Sequence, residues 1–196
     1  MTTSPRRLVF ASNNPHKLSE IRRMAGDKFH ILSLEDIGCH DDIPETSPTI
    51  EGNSLIKARW IKEKYGYDCF ADDTGLIVDA LDGAPGVKSA RYAGPDCNPE
   101  ANMALLLRNM QGIADRRARF RTVVTLIMGE DIEQFTGEVE GEIATERDGC
   151  SGFGYDPIFI AAETGMTFAA MDADAKNAIS HRGRAIRKLF ERLASL

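Results

Sequence analysis

Residues 119–143 carry the pattern that most constrains this chain. Phe120, Thr122, Val124 and Leu126 alternate with Arg119, Arg121, Val123 and Thr125, and after Gly129-Glu130-Asp131 the residues Phe135, Gly137, Val139, Gly141 and Ile143 alternate again. A period of two, interrupted by a glycine-led turn, predicts a long antiparallel hairpin. Helical spacing governs other segments. Leu18, Ile21 and Met24 follow Asn14-Pro15, an N-cap with proline at the first helical position. Leu55, Ala58, Ile61 and Tyr65 predict a second helix over Ile50 to Tyr65, capped by Ser47 or Thr49. A third runs from Asn98 or Pro99 through Met110, and a fourth from about Ser180 places Ile186, Leu189, Phe190 and Leu193 on one face.

Short apolar runs at Leu8 to Ala11, Phe29 to Leu34, Asp68 to Ala71 and Pro157 to Ile160 read as further strands, and the acidic segment Glu35 to Pro48 as a loop. Strands alternating with helices, plus one hairpin, predict a mixed α/β fold: an elongated central mixed β-sheet flanked by helices. A chain of 196 residues without linker or repeat is expected to form a single domain, residues 1–196, or at most two small lobes.

Charge narrows the partners. Lys and Arg total 24 against 30 Asp and Glu, a net charge of -6, which argues against a nucleic-acid polymer or an anionic membrane as partner. A small phosphate ligand is still compatible, because a few convergent cations suffice. Cys39, Cys69, Cys97 and Cys150 stand too far apart for a zinc-ligand pair and point to a reduced, cytoplasmic protein. Met1 to Arg7 carries charge, but the apolar run after it is too short for a signal segment, and no run approaches a membrane span.

Four polar clusters carry candidate chemistry. Ser12, Asn13, Asn14, Pro15, His16 and Lys17 form a strand-to-helix turn whose backbone N–H groups and lysine suit a phosphate; the alternative is a plain cap with a Lys17/Glu20 surface pair. Asp72-Asp73-Thr74-Gly75 after a buried strand puts neighbouring carboxylates on opposite faces. One of them, with Glu45 from the acidic loop, is a candidate pair for Mg²⁺. The same four residues also fit a type I turn. Phe153, Gly154, Tyr155 and Asp156 offer a ring flanked by glycine for a flat ligand, or a core phenylalanine. Lys176, His181 and Arg182 gather about a helix start at Ser180, where cations oppose the helix dipole; a solvated basic patch is the alternative.

In chain order the motifs resemble one family. Ser12-x-Asn14-x-x-Lys17-x-x-Glu20, Glu45-Thr46, Asn53 with Lys57-Ala58-Arg59, Ala71-Asp72-Asp73-Thr74-Gly75-Leu76, Gly83-Ala84-Pro85-Gly86, Ser89-Ala90-Arg91-Tyr92, Gly152-Phe153-Gly154-Tyr155-Asp156-Pro157, and Lys176 with Ser180-His181-Arg182-Gly183 look like the inosine triphosphate pyrophosphatase family. The resemblance spans residues 8 to about 190. Asn13 stands where many relatives have Gly, and Thr74 where Ser is frequent.

That resemblance implies two lobes around a substrate cleft, as in the related Maf-like proteins, and a homodimer. It implies hydrolysis of ITP, dITP or XTP between the α and β phosphates to the monophosphate and pyrophosphate. Ser12 to Lys17 would hold phosphates, aided by Lys57 and Arg91. Glu45 and Asp73 would hold Mg²⁺, with Asp73 as proton acceptor. Thr74, Phe153 to Asp156, Lys176, His181 and Arg182 would bind the nucleoside. Hypoxanthine and xanthine carry an acceptor oxygen at C6 where adenine carries an amino donor, so donors from Lys176 or Arg182 would select against ATP. Guanine carries O6 as well, so this contact alone does not separate GTP from ITP. A nucleotide-binding module without chemistry and a pyrophosphatase for modified pyrimidine nucleotides are the rival readings.

Overall fold

Ser12 to Asn14 end the first strand as the apolar run stops, and the chain turns at once into a helix. The computed structural model describes residues 6–196; the reading of Met1 to Pro5 as no part of a signal segment lies outside the described residues. The elements are β1 (Arg6–Phe10), α1 (Pro15–Ala25), β2 (Phe29–Leu32), α2 (Ile50–Tyr65), β3 (Cys69–Val78), β4 (Pro85–Gly86), α3 (Pro99–Asn109), β5 (Arg117–Met128), β6 (Asp131–Ile143), β7 (Phe159–Ala161), β8 (Met166–Thr167), α4 (Ala173–Ile179) and α5 (His181–Ala194). They form a mixed α/β fold, with two compact units recognisable along the chain: residues 1–73, 123–136 and 185–196, and residues 74–122 and 137–184.

In the first unit the sheet order is β2-β1-β3-β5-β6. β1 is parallel to both neighbours, with Val9 opposite Leu32 and Phe10 opposite Phe70. A strand points successive side chains to opposite faces, and the packing follows. Leu8, Phe10 and Phe70 bury against Ile21 and Ala25 of α1 and against Ala185, Ile186, Leu189 and Leu193 of α5. Val9, Ala11, Cys69 and Ala71 bury against Ala58 and Ile61 of α2. Helices α1 and α5 therefore cover one face, and α2 the other. Each fully buried large side chain in these clusters contributes about 1.5–3 kcal/mol.

In the second unit β4 pairs antiparallel with the C-terminal part of β3, and β5-β6-β7-β8 continue the order, β7 antiparallel to β6 and to β8. Met103 and Leu106 of α3 pack with Leu76, Phe120, Ile143, Phe159 and Phe168 into its core. The hairpin stands as expected. β5 and β6 are hydrogen-bonded neighbours joined through Gly129-Glu130, and a two-residue connection admits only the antiparallel direction. Gly129 at φ 58, followed by a residue at negative φ, supplies the turn.

Three readings need correction. Asp72 to Gly75 do not end a strand in a turn: β3 runs unbroken from Cys69 to Val78. Buried carboxylates in a strand are tolerated because lysines meet them, as described below. The strand expected from Pro157 begins at Phe159, after a short 3-10 turn over Asp156–Ile158. Finally α4, capped by Asp172, precedes the helix expected from Ser180; its seven residues are too few to show a period. Among the described residues no helix is long and apolar enough to cross a membrane.

One side chain staples the second unit. The Arg116 guanidinium donates to the carbonyl oxygens of Met110, Ile143 and Ala144, joining the end of α3 to the end of β6. Arg116→Ala strands these acceptors and is expected to cost about 3 kcal/mol, since hydrogen bonds from charged donors are worth roughly 1.5–3 kcal/mol each. In a chain of this size that is a melting point lower by about 10 °C. Arg116→Lys should recover only part, because an ammonium lacks the planar fork. A melting point for Arg116→Ala equal to wild type would show that water replaces the staple.

Candidate functional site

The pleat of β3 decides where its two carboxylates go. Asp72 shares a face with Phe70, the side covered by α1, and its Oδ1 accepts from Lys17 Nζ at 3.0 Å, with the Asp72 side chain fully buried. Asp73 shares a face with Cys69 and Ala71, the side covered by α2, and its Oδ1 lies 3.4 Å from Lys57 Nζ. Lys57 Nζ also donates to Glu45 Oε1 at 2.6 Å. Glu45, Lys57 and Asp73 therefore form one cluster: an ammonium between two carboxylates, one of them from the acidic loop.

The electrostatics of the cluster follow from burial. Burial pushes the Asp73 carboxyl up and wins, while the Lys57 and Lys17 ammonium groups pull it down and the Glu45 and Asp72 carboxylates push it further up. Burial acts to lower the Lys57 ammonium, but Asp73, Asp72 and Glu45 outweigh it and hold it above the ordinary lysine range. Asp73 Oδ2 is buried with no hydrogen-bond partner among the described residues. Such an orphaned oxygen is costly unless a ligand completes it.

Among the described residues no group of three or more His, Cys, Asp or Glu side chains gathers as a metal site. Magnesium needs no such group. It is held by one or two carboxylates, with substrate oxygens and waters completing six positions, and the Glu45/Asp73 pair with its orphaned oxygen fits that donor set.

The turn before α1 is organised by its own side chains. Asn14 caps the helix as expected, its Oδ1 accepting from the backbone N–H groups of His16 at 3.0 Å and Lys17 at 3.2 Å. Asn14 N–H donates to Ser12 Oγ at 3.2 Å, and Pro15 has no N–H to offer. The N–H groups of Asn14, His16 and Lys17 are thus engaged within the turn. What the segment presents is side chains, Lys17 foremost, and Lys17 reaches Asp72.

The second unit holds a separate constellation. Asp156 Oδ2 accepts from Lys176 Nζ at 2.8 Å and from Phe153 N–H at 2.8 Å, with Asp156 and Lys176 only 4% and 5% exposed. Lys176 Nζ lies 4.9 Å and Arg182 Cζ 5.4 Å from the centre of the Phe153 ring. Phe153 is half-buried with two cations on its ring, so the core alternative does not hold. Gly152 sits at φ 78, where a Cβ would also strike the Asp156 carboxylate. Arg182 reaches Thr74 Oγ1 at 3.5 Å, and Thr74 is itself bonded to Thr122 Oγ1 at 2.7 Å.

Ser180 caps α5 as expected, its Oγ accepting from Gly183 N–H at 3.0 Å. His181 then stacks on Phe120 at 4.5 Å and on Phe168 at 6.0 Å. Tyr155 is buried, and its hydroxyl donates to the Ser89 carbonyl at 2.8 Å. Gly154 takes φ 61, the left-handed turn the motif needs after Phe153. Sequence reasoning missed Asp72 as the partner of Lys17 and Thr122 as the partner of Thr74; neither pairing leaves a local signal, since each spans dozens of residues.

A dITP/XTP pyrophosphatase of Flavobacterium johnsoniae is 51% identical over 189 residues, 96% of this chain and 98% of that protein. That of Porphyromonas gingivalis is 50% identical over 93% of this chain and 95% of its own length. Among solved structures, the Ham1 protein of Staphylococcus aureus superposes with a TM-score of 0.88 at 36% identity, covering 97% of this chain and 99% of that one. The Ham1 protein of Coxiella burnetii does so with a TM-score of 0.89 at 37% identity, over 97% and 100%. The family model for the Ham1 family matches residues 8–192, a span that takes in both carboxylates, the lysines that meet them and the aromatic-cation cluster, and so the chain belongs to the Ham1 family.

Proposed function

We propose that this protein hydrolyses the non-canonical purine nucleoside triphosphates ITP, dITP and XTP to the monophosphate and pyrophosphate, with Mg²⁺ as cofactor. The observation that carries the reading is Asp73: a buried carboxylate with one oxygen beside Lys57 and the other without a hydrogen-bond partner among the described residues, opposite Glu45. The names of its close relatives point the same way.

Glu45 and Asp73 would hold the metal, which when bound supplies positive charge to the phosphates. Asp73 accepts the proton of the water that attacks the α-phosphorus. The new P–O bond forms as the bond to the bridging oxygen breaks, and pyrophosphate leaves with that electron pair. Lys17 and Lys57 supply local positive charge that an acidic protein needs to accept a polyphosphate, while Ser12, Asn13, Asn14, Pro15 and His16 shape the turn that presents Lys17. A carboxyl raised by burial is suited to this work, because a base with a higher proton affinity takes the proton more readily.

Phe153 stacks on the base, and Lys176 and Arg182 direct donors at its edge. Neither cation can accept a hydrogen bond. A C6 oxygen satisfies them, whereas the amino group of adenine leaves them unmatched. Thr74, Gly154, Tyr155, Asp156 and His181 hold this arrangement in shape. The same reading includes a cytoplasmic homodimer.

The test is a substrate panel of ITP, XTP, ATP, GTP, dUTP and dTTP with Mg²⁺, with products identified by chromatography. Pyrophosphate and monophosphate from ITP and XTP, with ATP slower by at least about tenfold, is the expected result. Release of orthophosphate, or equal turnover of ATP, would sink the assignment. Preference for dUTP or dTTP would move the protein to the pyrimidine reading, and binding without turnover to the module without chemistry.

A further inference from the structure

Glu45 lies in a segment, residues 39–47, that is neither helix nor strand, so something other than a backbone ladder must hold it opposite Asp73. Side chains tie that segment to α2 at three points. Ser47 N–H donates to Asn53 Oδ1 at 2.8 Å, and Lys57 Nζ donates to Glu45 Oε1 at 2.6 Å. At the far end Asp41 Oδ2 accepts from Trp60 Nε1 at 3.0 Å, Lys64 Nζ at 2.8 Å and Tyr65 Oη at 2.9 Å. The Lys64 bond, followed by those of Trp60 and Tyr65, holds the Asp41 carboxyl down to about 2, so it stays charged at working pH.

These anchors are ordered. Asn53, Lys57, Trp60 and Lys64 follow at steps of four, three and four, which is one face of a helix. As the segment runs backward from Ser47 through Glu45 to Asp41, its partners run forward along that face. From Asn53 to Lys64 the helix rises about 16 Å at 1.5 Å per residue. From Asp41 to Ser47 a chain reaches at most about 20 Å. The run of the segment is thus comparable to the run of helix it is tied to, and Glu45 lies between two fixed ends.

We infer that Asp41, gripped by Trp60, Lys64 and Tyr65, is a positioning residue that sets Glu45 opposite Asp73 and thereby governs how tightly the proposed metal pair binds its cation. This rests on the proposed role of Glu45 as a metal ligand. Asp41 touches neither substrate nor metal; it acts through the path of the chain.

The test uses the full chain, with Mn²⁺ binding followed by electron paramagnetic resonance and the Mg²⁺ midpoint of pyrophosphate release measured in parallel. Asp41→Ala is expected to weaken Mn²⁺ binding and raise the Mg²⁺ midpoint by about tenfold, the size typical of residues that orient metal ligands. At saturating Mg²⁺ its kcat should stay within about threefold of wild type, the split expected when binding and not chemistry is altered. Trp60→Phe removes one donor and keeps the packing, so it should move both readouts the same way by less, and Asp41→Asn, which keeps an acceptor oxygen, should fall between Asp41→Ala and wild type. Glu45→Gln is the reference and should shift both at least as far as Asp41→Ala. If Glu45→Gln shifts both while Asp41→Ala and Trp60→Phe bind metal like wild type, the positioning role is wrong and the ligand reading stands. If kcat falls with an unmoved metal midpoint, Asp41 supports the fold alone and the inference is likewise overturned. If Glu45→Gln itself binds metal like wild type, the ligand reading fails and the positioning role fails with it.

Discussion

Asp73→Asn is expected to leave the protein folded and to lower pyrophosphate release from ITP by about 10³-fold, within the range of losing a positioned general base. The fold should survive because little is taken from it. Asn is nearly isosteric with Asp. Its Oδ1 still accepts from Lys57, and the other oxygen of Asp73 has no partner among the described residues to lose. Burial opposes the charge at this position, so neutralising it removes a desolvation cost even as Lys57 loses one of its counter-charges and keeps Glu45. These effects oppose one another, and the melting curve should move by no more than about 1 kcal/mol in stability.

Chemistry has no such cancellation, because an amide cannot take the proton from water. Glu45→Gln supplies the contrast: it weakens the metal without removing the base, so high Mg²⁺ should restore much of its rate, and no concentration of Mg²⁺ should restore Asp73→Asn. Turnover by folded Asp73→Asn at the wild-type rate would remove Asp73 from the reaction. Rescue of that variant by Mg²⁺ would reduce it to a ligand.

The elements were legible where local rules act alone. The alternation over residues 119–143, the Asn14-Pro15 start and the caps at Thr49, Asn98 and Ser180 all stand where the sequence places them. Reading failed where long-range contact overrides local preference. Asp72-Asp73-Thr74-Gly75 looks like a turn to any local rule, yet β3 passes straight through it because Lys17 and Lys57 arrive from two different helices. At the Ser12 to Lys17 turn the capping alternative is the part that is visible: Asn14 Oδ1 takes the His16 and Lys17 amide groups, as its place before Pro15 predicts. The polar stripe Asn53, Lys57, Trp60, Lys64 was present in the sequence of α2 at helical spacing. Asn53 and Lys57 stand out as a motif, while Trp60 and Lys64 are masked by the apolar stripe on the same helix, which already explains its period.

A paired substitution in the second unit should separate structure from selectivity. Lys176 and Asp156 make a 2.8 Å ion pair whose side chains are 7% and 5% exposed. Breaking a buried ion pair by removing one partner costs about 3–5 kcal/mol. Lys176→Met should therefore melt about 10 °C lower than wild type, and any fall in its activity would say little about the base. Adding Asp156→Asn removes the second charge of the pair, and Asn keeps an oxygen for the Phe153 N–H. The double variant should recover most of the melting point, since replacing a buried pair by neutral groups of similar size costs little. It nevertheless lacks the ammonium proposed to read the C6 oxygen. Its ratio of kcat/KM for ITP over ATP should fall by about 10²-fold, although Arg182 still lies over Phe153. Recovery of both the melting point and the wild-type ratio would show that Lys176 serves only to neutralise Asp156. Recovery of the melting point with a collapsed ratio would place base selection on Lys176 itself.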